Sequence, residues 1–144
     1  MLLRNELQTA LQDVEVGCLE VADGHEAAAE MLGDDPLAGV LRELAGARRR
    51  AAERLGECIR QQGDLPAEPD ADLETARDLA TRVMAALSGD QHHALAAERA
   101  AAEAHLATLA GIALDQPDLS PVGKALLEQI RDDGLAAQQR LAKE

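Results

Sequence analysis

LQTALQDVEVGCLEVADGHEAAAEML, residues 7–32, decides the fold. Its inward positions, Leu7, Leu11, Val14, Cys18, Val21, His25, Ala28 and Leu32, follow steps of four and three throughout. That spacing lays one stripe along an α-helix of about 28 residues, ~40 Å long if it begins near Leu3. Gly33-Asp34-Asp35-Pro36 closes it, with Gly suited to the position after a helix and Pro to the first turn of the next. So short a connection makes the following helix an antiparallel neighbour.

That second helix carries Leu37, Leu41, Leu44, Arg48, Ala51, Leu55 and Cys58 to about Gln62, with Val40, Ala47 and Ile59 broadening the stripe. Gly39, Gly46 and Gly56 each weaken it by ~1 kcal/mol relative to Ala, so packing has to hold it. Gly63 to Asp70 reads as a linker, and a shorter helix follows at Leu73, Ala76, Ala80, Val83 and Leu87, closed by Ser88-Gly89. Asp90 is the expected N-cap of a third long helix, ending near Leu114, whose seam reads Leu95, Glu98, Ala102, His105, Leu109, Ile112. Ser120-Pro121 opens the last helix, with seam Leu127, Ile130, Gly134, Ala137, Leu141.

Composition agrees with an all-α chain. The 144 residues, enough for a single domain over 1–144, include no Phe, Tyr or Trp. A core of Leu, Val, Ile, Met and much Ala favours closely approaching helices over a β-sandwich. The net charge of -13, from 27 acidic and 14 basic residues, argues against a nucleic-acid or an anionic membrane partner. No apolar run approaches the ~20 residues of a membrane span. The start, Met1 to Glu6, lacks the apolar region of a signal peptide, and Cys18 and Cys58 have no C-x-x-C spacing; the expectation is a reduced, cytoplasmic protein.

The two halves correspond: Cys18 lies seven residues before His25, and Glu98 seven before His105. Gly24-His25-Glu26-Ala27-Ala28-Ala29-Glu30, Leu41-Arg42-Glu43-Leu44-Ala45 with Arg48, and Ala85-Ala86-Leu87-Ser88-Gly89 resemble a bacterial family of small ferritin-like domains of unknown function. The resemblance implies a ferritin-like four-helix bundle, two antiparallel helical hairpins with a short crossover helix. Iron-binding members of that fold carry a Glu on helices 1 and 3 and Glu-x-x-His on helices 2 and 4. Mapped onto this chain, the helix 1 Glu is Cys18, the helix 3 Glu is Glu98, and no Glu-x-x-His occurs. His25 stands where the family has an aromatic residue.

The buried polar candidates are therefore Cys18, His25, Arg48, Glu98 and His105. Setting Cys18 opposite Glu98 on antiparallel helices places His25 near Gln91 and His105 near Leu11, ~21 Å apart, too far to share a metal. The same register predicts that Arg48 pairs with Glu98, a fixed cation where metal would neutralise carboxylates, and that His105 is a core histidine. Cys18 on an apolar seam should be an inert thiol. His92 and His93 read as exposed residues at a helix start, and the acids Asp64 to Glu74 as a solvated linker. The expectation is a non-catalytic protein with no metal or other cofactor, acting as a homo-oligomer (dimer or larger) or on another protein. The alternatives are an iron-binding or di-iron oxidase-like protein, and a small-ligand carrier with a cavity beside Gly134.

Overall fold

The computed structural model describes residues 5–63 and 90–144. Four helices, α1 (Glu6–Leu32), α2 (Pro36–Gln61), α3 (Gln91–Leu114) and α4 (Pro121–Ala142), account for nearly all of them, and there is no strand among the described residues. The helix expected over Leu73–Leu87 and most of the linker before it lie outside the described residues.

Local chemistry sets the helix limits. The Asn5 side chain accepts from the Gln8 amide at 2.8 Å while the Gln8 side chain accepts from the Asn5 amide at 3.0 Å. This reciprocal cap starts α1 at Glu6 rather than near Leu3. Gly33 ends the helix at φ +61°, a left-handed conformation that a Cβ would strain. Asp35 and Ser120 each cap a helix that begins with Pro, and Asp90 caps α3 through the His93 amide.

The helices form a bundle in which α1 packs on α2, α3 on α4 and α1 on α3, while α2 and α4 make a slighter contact. The Gln91 side chain donates to the Met31 carbonyl at 3.1 Å, and Gly17 lies against Leu106 and Leu109 at the other end, so α1 and α3 are antiparallel. Arg140 reaches Glu43 at 3.5 Å, and Gly123 lies beside Cys58, so α2 and α4 are antiparallel too. Hence α2 and α3 run parallel, on one diagonal of the bundle.

The stripes read from the sequence for α1, α2 and α4 face the core, with Leu32, Val40, Ala47 and Ala51 only half-buried. For α3 the expected seam is turned by one residue, about 100°. The buried residues are Leu95, Ala96, Arg99, Ala100, Glu103, Leu106, Ala107, Ala110 and Ala113. His105 is exposed, and Ile112 is 51% exposed.

This phase also corrects the internal repeat. Leu11, Val14, Cys18, Val21, His25 and Ala28, all buried, are answered by buried Ala96, Arg99, Glu103, Leu106, Ala110 and Ala113, each 85 positions later. In the second pair of helices Leu41, Leu44, Arg48 and Leu55 are answered by Leu127, Ile130, Gly134 and Leu141, 86 positions later. The counterpart of Cys18 is thus Glu103, not Glu98.

Two apolar clusters result. One gathers Leu11, Val14, Leu55, Ile59, Leu106 and Leu127 toward one end of the bundle. The other gathers Ala29, Leu37, Leu41, Leu95, Ala137 and Leu141 toward the opposite end. Each fully buried Leu contributes about 1.5–3 kcal/mol relative to an exposed one. The layer between the clusters is polar.

Candidate functional site: a buried charged layer

Four side chains make the layer: His25 from α1, Arg48 from α2, and Arg99 and Glu103 from α3, none more than 3% exposed. Each lies on the inward stripe of its helix, so the packing that buries the neighbouring Leu and Ala residues buries these groups with them. Charge so placed is costly unless paired. Arg48 Nε donates to both oxygens of Glu103, at 2.7 and 3.1 Å. His25 Nε2 lies 3.1 Å from Glu103 Oε2, and Arg99 Nη1 lies 3.2 Å from His25 Nδ1. Arg99 also donates to the Val21 carbonyl at 3.3 Å and to Glu98 at 2.7 and 3.2 Å.

The hydrogen-bond pattern assigns the tautomer. A guanidinium only donates, so Nδ1 of His25 is the acceptor and the proton sits on Nε2, donated to Glu103. Burial, with Arg99 and Arg48 nearby, holds the His25 pKa below its ordinary value despite the Glu103 carboxylate. For Glu103, burial alone would raise the pKa. Hydrogen bonds from His25 and Arg48 and the Arg48 charge outweigh it, so the carboxyl sits below its usual range. With His25 neutral, Arg48 and Arg99 balance Glu103 and Glu98, and the network carries no net charge.

Two glycines make room for it. A methyl group at Gly24 would collide with the Arg99 guanidinium, which sits directly against the α1 backbone there. At Gly134, a Cβ would fall 3.2 Å from the Glu103 carbonyl oxygen and 3.4 Å from the Ala107 Cβ. The missing side chain at Gly134 lets α4 close against α3 there.

Cys18, His25 and Arg48 are buried, whereas Glu98 is half-buried at the edge of the layer and His105 is on the surface. Arg48 pairs with Glu103, not with Glu98, whose partner is its own neighbour Arg99. His25 faces Arg99 and Glu103 rather than Gln91, because the two antiparallel helices are set about two turns away from the predicted register. The signal for Arg99 and Glu103 was present in the caps: Asn5 and Asp90, and Asp35 and Ser120, are also 85 positions apart.

Cys18 lies within the layer's field. Burial pushes its thiol up to about 12, with Arg48 opposing and Glu103 adding to the rise. Cys58 is buried and also raised by desolvation, and both cysteines are free thiols. At one pole, His92 is half-buried rather than exposed: Nδ1 lies 2.7 Å from Asp35 and Nε2 lies 3.7 Å from Glu144.

Metal chemistry does not suit these residues. The positions that correspond to one another across the bundle hold Cys18, Glu103, Arg48 and Gly134; one is a guanidinium without a lone pair and one has no side chain. Among the described residues no three His, Cys, Asp or Glu side chains group as a metal ion would require. Nor, among them, is any helix long and apolar enough to cross a membrane. Searches against protein-family models and curated proteins find no match for the chain.

Proposed function

We propose that the protein is a ferritin-like helical bundle, akin to the bacterial domains it resembles, that has exchanged metal ligands for an internal ion-pair network. In this reading it works through protein contacts, including contacts with its own copies, and not through catalysis. The observation that carries the reading is the Glu103 carboxylate, both of whose oxygens share the Nε–H of Arg48. A di-iron protein would neutralise carboxylates in the central layer with metal; here a fixed cation does so, and the carboxylate's two oxygens are already engaged. The adjacency of the helices and the 85-residue correspondence of the halves support the ferritin-like assignment. Self-association would cover large apolar side chains that the single chain leaves in solvent: Ile112 at 51%, Val122 at 67% and Leu135 at 43% exposed. Two unpaired thiols fit a reducing, cytoplasmic setting.

The deciding experiment incubates purified protein with Fe²⁺, removes unbound metal and measures iron per chain. The reading expects a small fraction of one iron; one or two per chain overturns it. Light scattering over a concentration series tests self-association. A dimer or larger assembly that falls apart in Val122→Asp or Ile112→Asp supports it, and a monomer at all concentrations removes the self-association part.

A further inference from the structure

We propose that His25 and Arg99 form an acid-operated latch between α1 and α3, in which protonation of His25 Nδ1 drives the Arg99 guanidinium out of its seat over Gly24. The geometry makes the latch directional. Nδ1 is the acceptor for Arg99 Nη1 at 3.2 Å, and a guanidinium can offer it only another N–H. Once Nδ1 carries a proton, two donors and two positive charges face one another in a layer closed to water. One must leave. His25 is held on its other side by Glu103, which attracts an imidazolium more strongly than a neutral ring, so His25 stays.

Arg99 has somewhere to go. Its other partner, Glu98, is 31% exposed, so the guanidinium can swing toward solvent while keeping both bonds to that carboxylate. It gives up the Val21 carbonyl and its seat on Gly24, where the absence of a side chain is what admits it. Its departure uncovers the α1 backbone around Gly24 and the edge of the buried layer.

Among the described residues, the groups facing His25 are few. From α2 there is Arg48; from α3 there are Arg99, Glu103 and, behind Arg99, Glu98. No buried residue of α4 is titratable. On α1 itself the nearest buried titratable side chain is Cys18, whose thiol stays protonated throughout the relevant range, and Glu15 is about 15 Å along the axis. The layer also holds two carboxyl groups: Glu98 at its edge, and Glu103, which hydrogen bonds from His25 and Arg48 keep below the ordinary carboxyl range despite burial.

Nuclear magnetic resonance on the full chain between pH 7.5 and 5.0 tests this. Imidazole ¹⁵N shifts should report the Nε2–H tautomer of His25 at neutral pH and its titration below. The Arg99 Nε–H signal and the amides of Val21 to Ala28 should lose protection with the same midpoint, by about tenfold per pH unit after correction for intrinsic exchange. Protection of Leu11 and Leu127 in the far cluster should persist. Gly24→Ala should release Arg99 already at pH 7.5. His25→Gln, which keeps a donor for Glu103 and an acceptor for Arg99 but cannot titrate, should hold Arg99 in place to pH 5.5. The proposal fails if His25 titrates with Arg99 unmoved, if all protection is lost at one midpoint, or if folded His25→Gln still opens in acid. The wild-type and Gly24→Ala measurements decide the matter on their own if His25→Gln does not fold.

Discussion

Arg48 grips both oxygens of Glu103 across the diagonal of the bundle, at 2.7 and 3.1 Å, in surroundings where neither side chain is more than 3% exposed. A pair so placed loses hydration on both sides, and its net worth depends on keeping both partners. Arg48→Met should therefore cost about 3–5 kcal/mol, because it strands a buried carboxylate. The double variant Arg48→Met/Glu103→Leu should recover most of that loss. Urea unfolding of the three proteins checks it; a double variant as unstable as the single one contradicts the stranded-charge account.

The two buried or half-buried histidines should shift stability with pH in opposite directions. His92 has a raised pKa, foremost through the hydrogen bond it donates to the Asp35 carboxylate, so its contribution is fully present below about pH 6.5 and is lost as pH rises through the raised value. His25 has a lowered pKa, so its contribution is intact above about pH 6.5 and erodes as pH falls below it. Asp35→Asn keeps the N-cap but removes the His92 partner. Its unfolding midpoint should fall furthest behind wild type near pH 5–6 and converge with it at higher pH. A difference that widens with rising pH would show the sign to be wrong.

Cys18, with its thiol pushed up to about 12, and buried Cys58 should resist a thiol reagent at pH 8 for as long as the bundle stays folded. Both should react promptly in denaturant. Native labelling faster than global unfolding, followed by mass spectrometry, would contradict this.

Two glycine substitutions should move stability in opposite directions. Gly134→Ala pushes a methyl group to 3.2 Å from the Glu103 carbonyl oxygen, and backbone there cannot yield cheaply; a loss of about 1–3 kcal/mol follows. Gly111→Ala meets nothing within 4 Å and lies inside α3, so it should gain about 0.5–1 kcal/mol. Thermal unfolding ranks the two, and a stabilised Gly134→Ala would mean that α3 and α4 are not in the close contact described.

Leu, Val and Ile recur often enough in α1 and α2 to fix which face is inward, and those helices were legible. In α3 the sequence is dominated by Ala, which packs on either face at little cost and carries no phase. Leu106 and Leu109 compete as seam residues, and the seven-residue echo between Cys18–His25 and Glu98–His105 tips the reading toward the wrong one. That choice turned α3 by one residue. It exchanged Arg99 and Glu103 for Glu98 and His105, and with them the identity of the buried carboxylate. Charge on an Ala-rich face looks solvated until its partners are known, and those partners, His25 and Arg48, lie 74 and 55 residues away in sequence. The exposed residues of α3 show the same ambiguity from outside: Ile112 looked like core and is half in water.

The pairing of Arg48 with Glu103 also makes the two hairpins non-interchangeable. Their buried positions match closely enough that each hairpin resembles half of a symmetric dimer, yet Arg48 corresponds to Gly134 and Cys18 to Glu103. Two copies of the first hairpin would set arginine against arginine across the axis. Two copies of the second would set Glu103 against Glu103 between two glycines, without Arg48. Only the mixed assembly is neutral and filled, so the buried charge acts as an address that tells each half which other half to join.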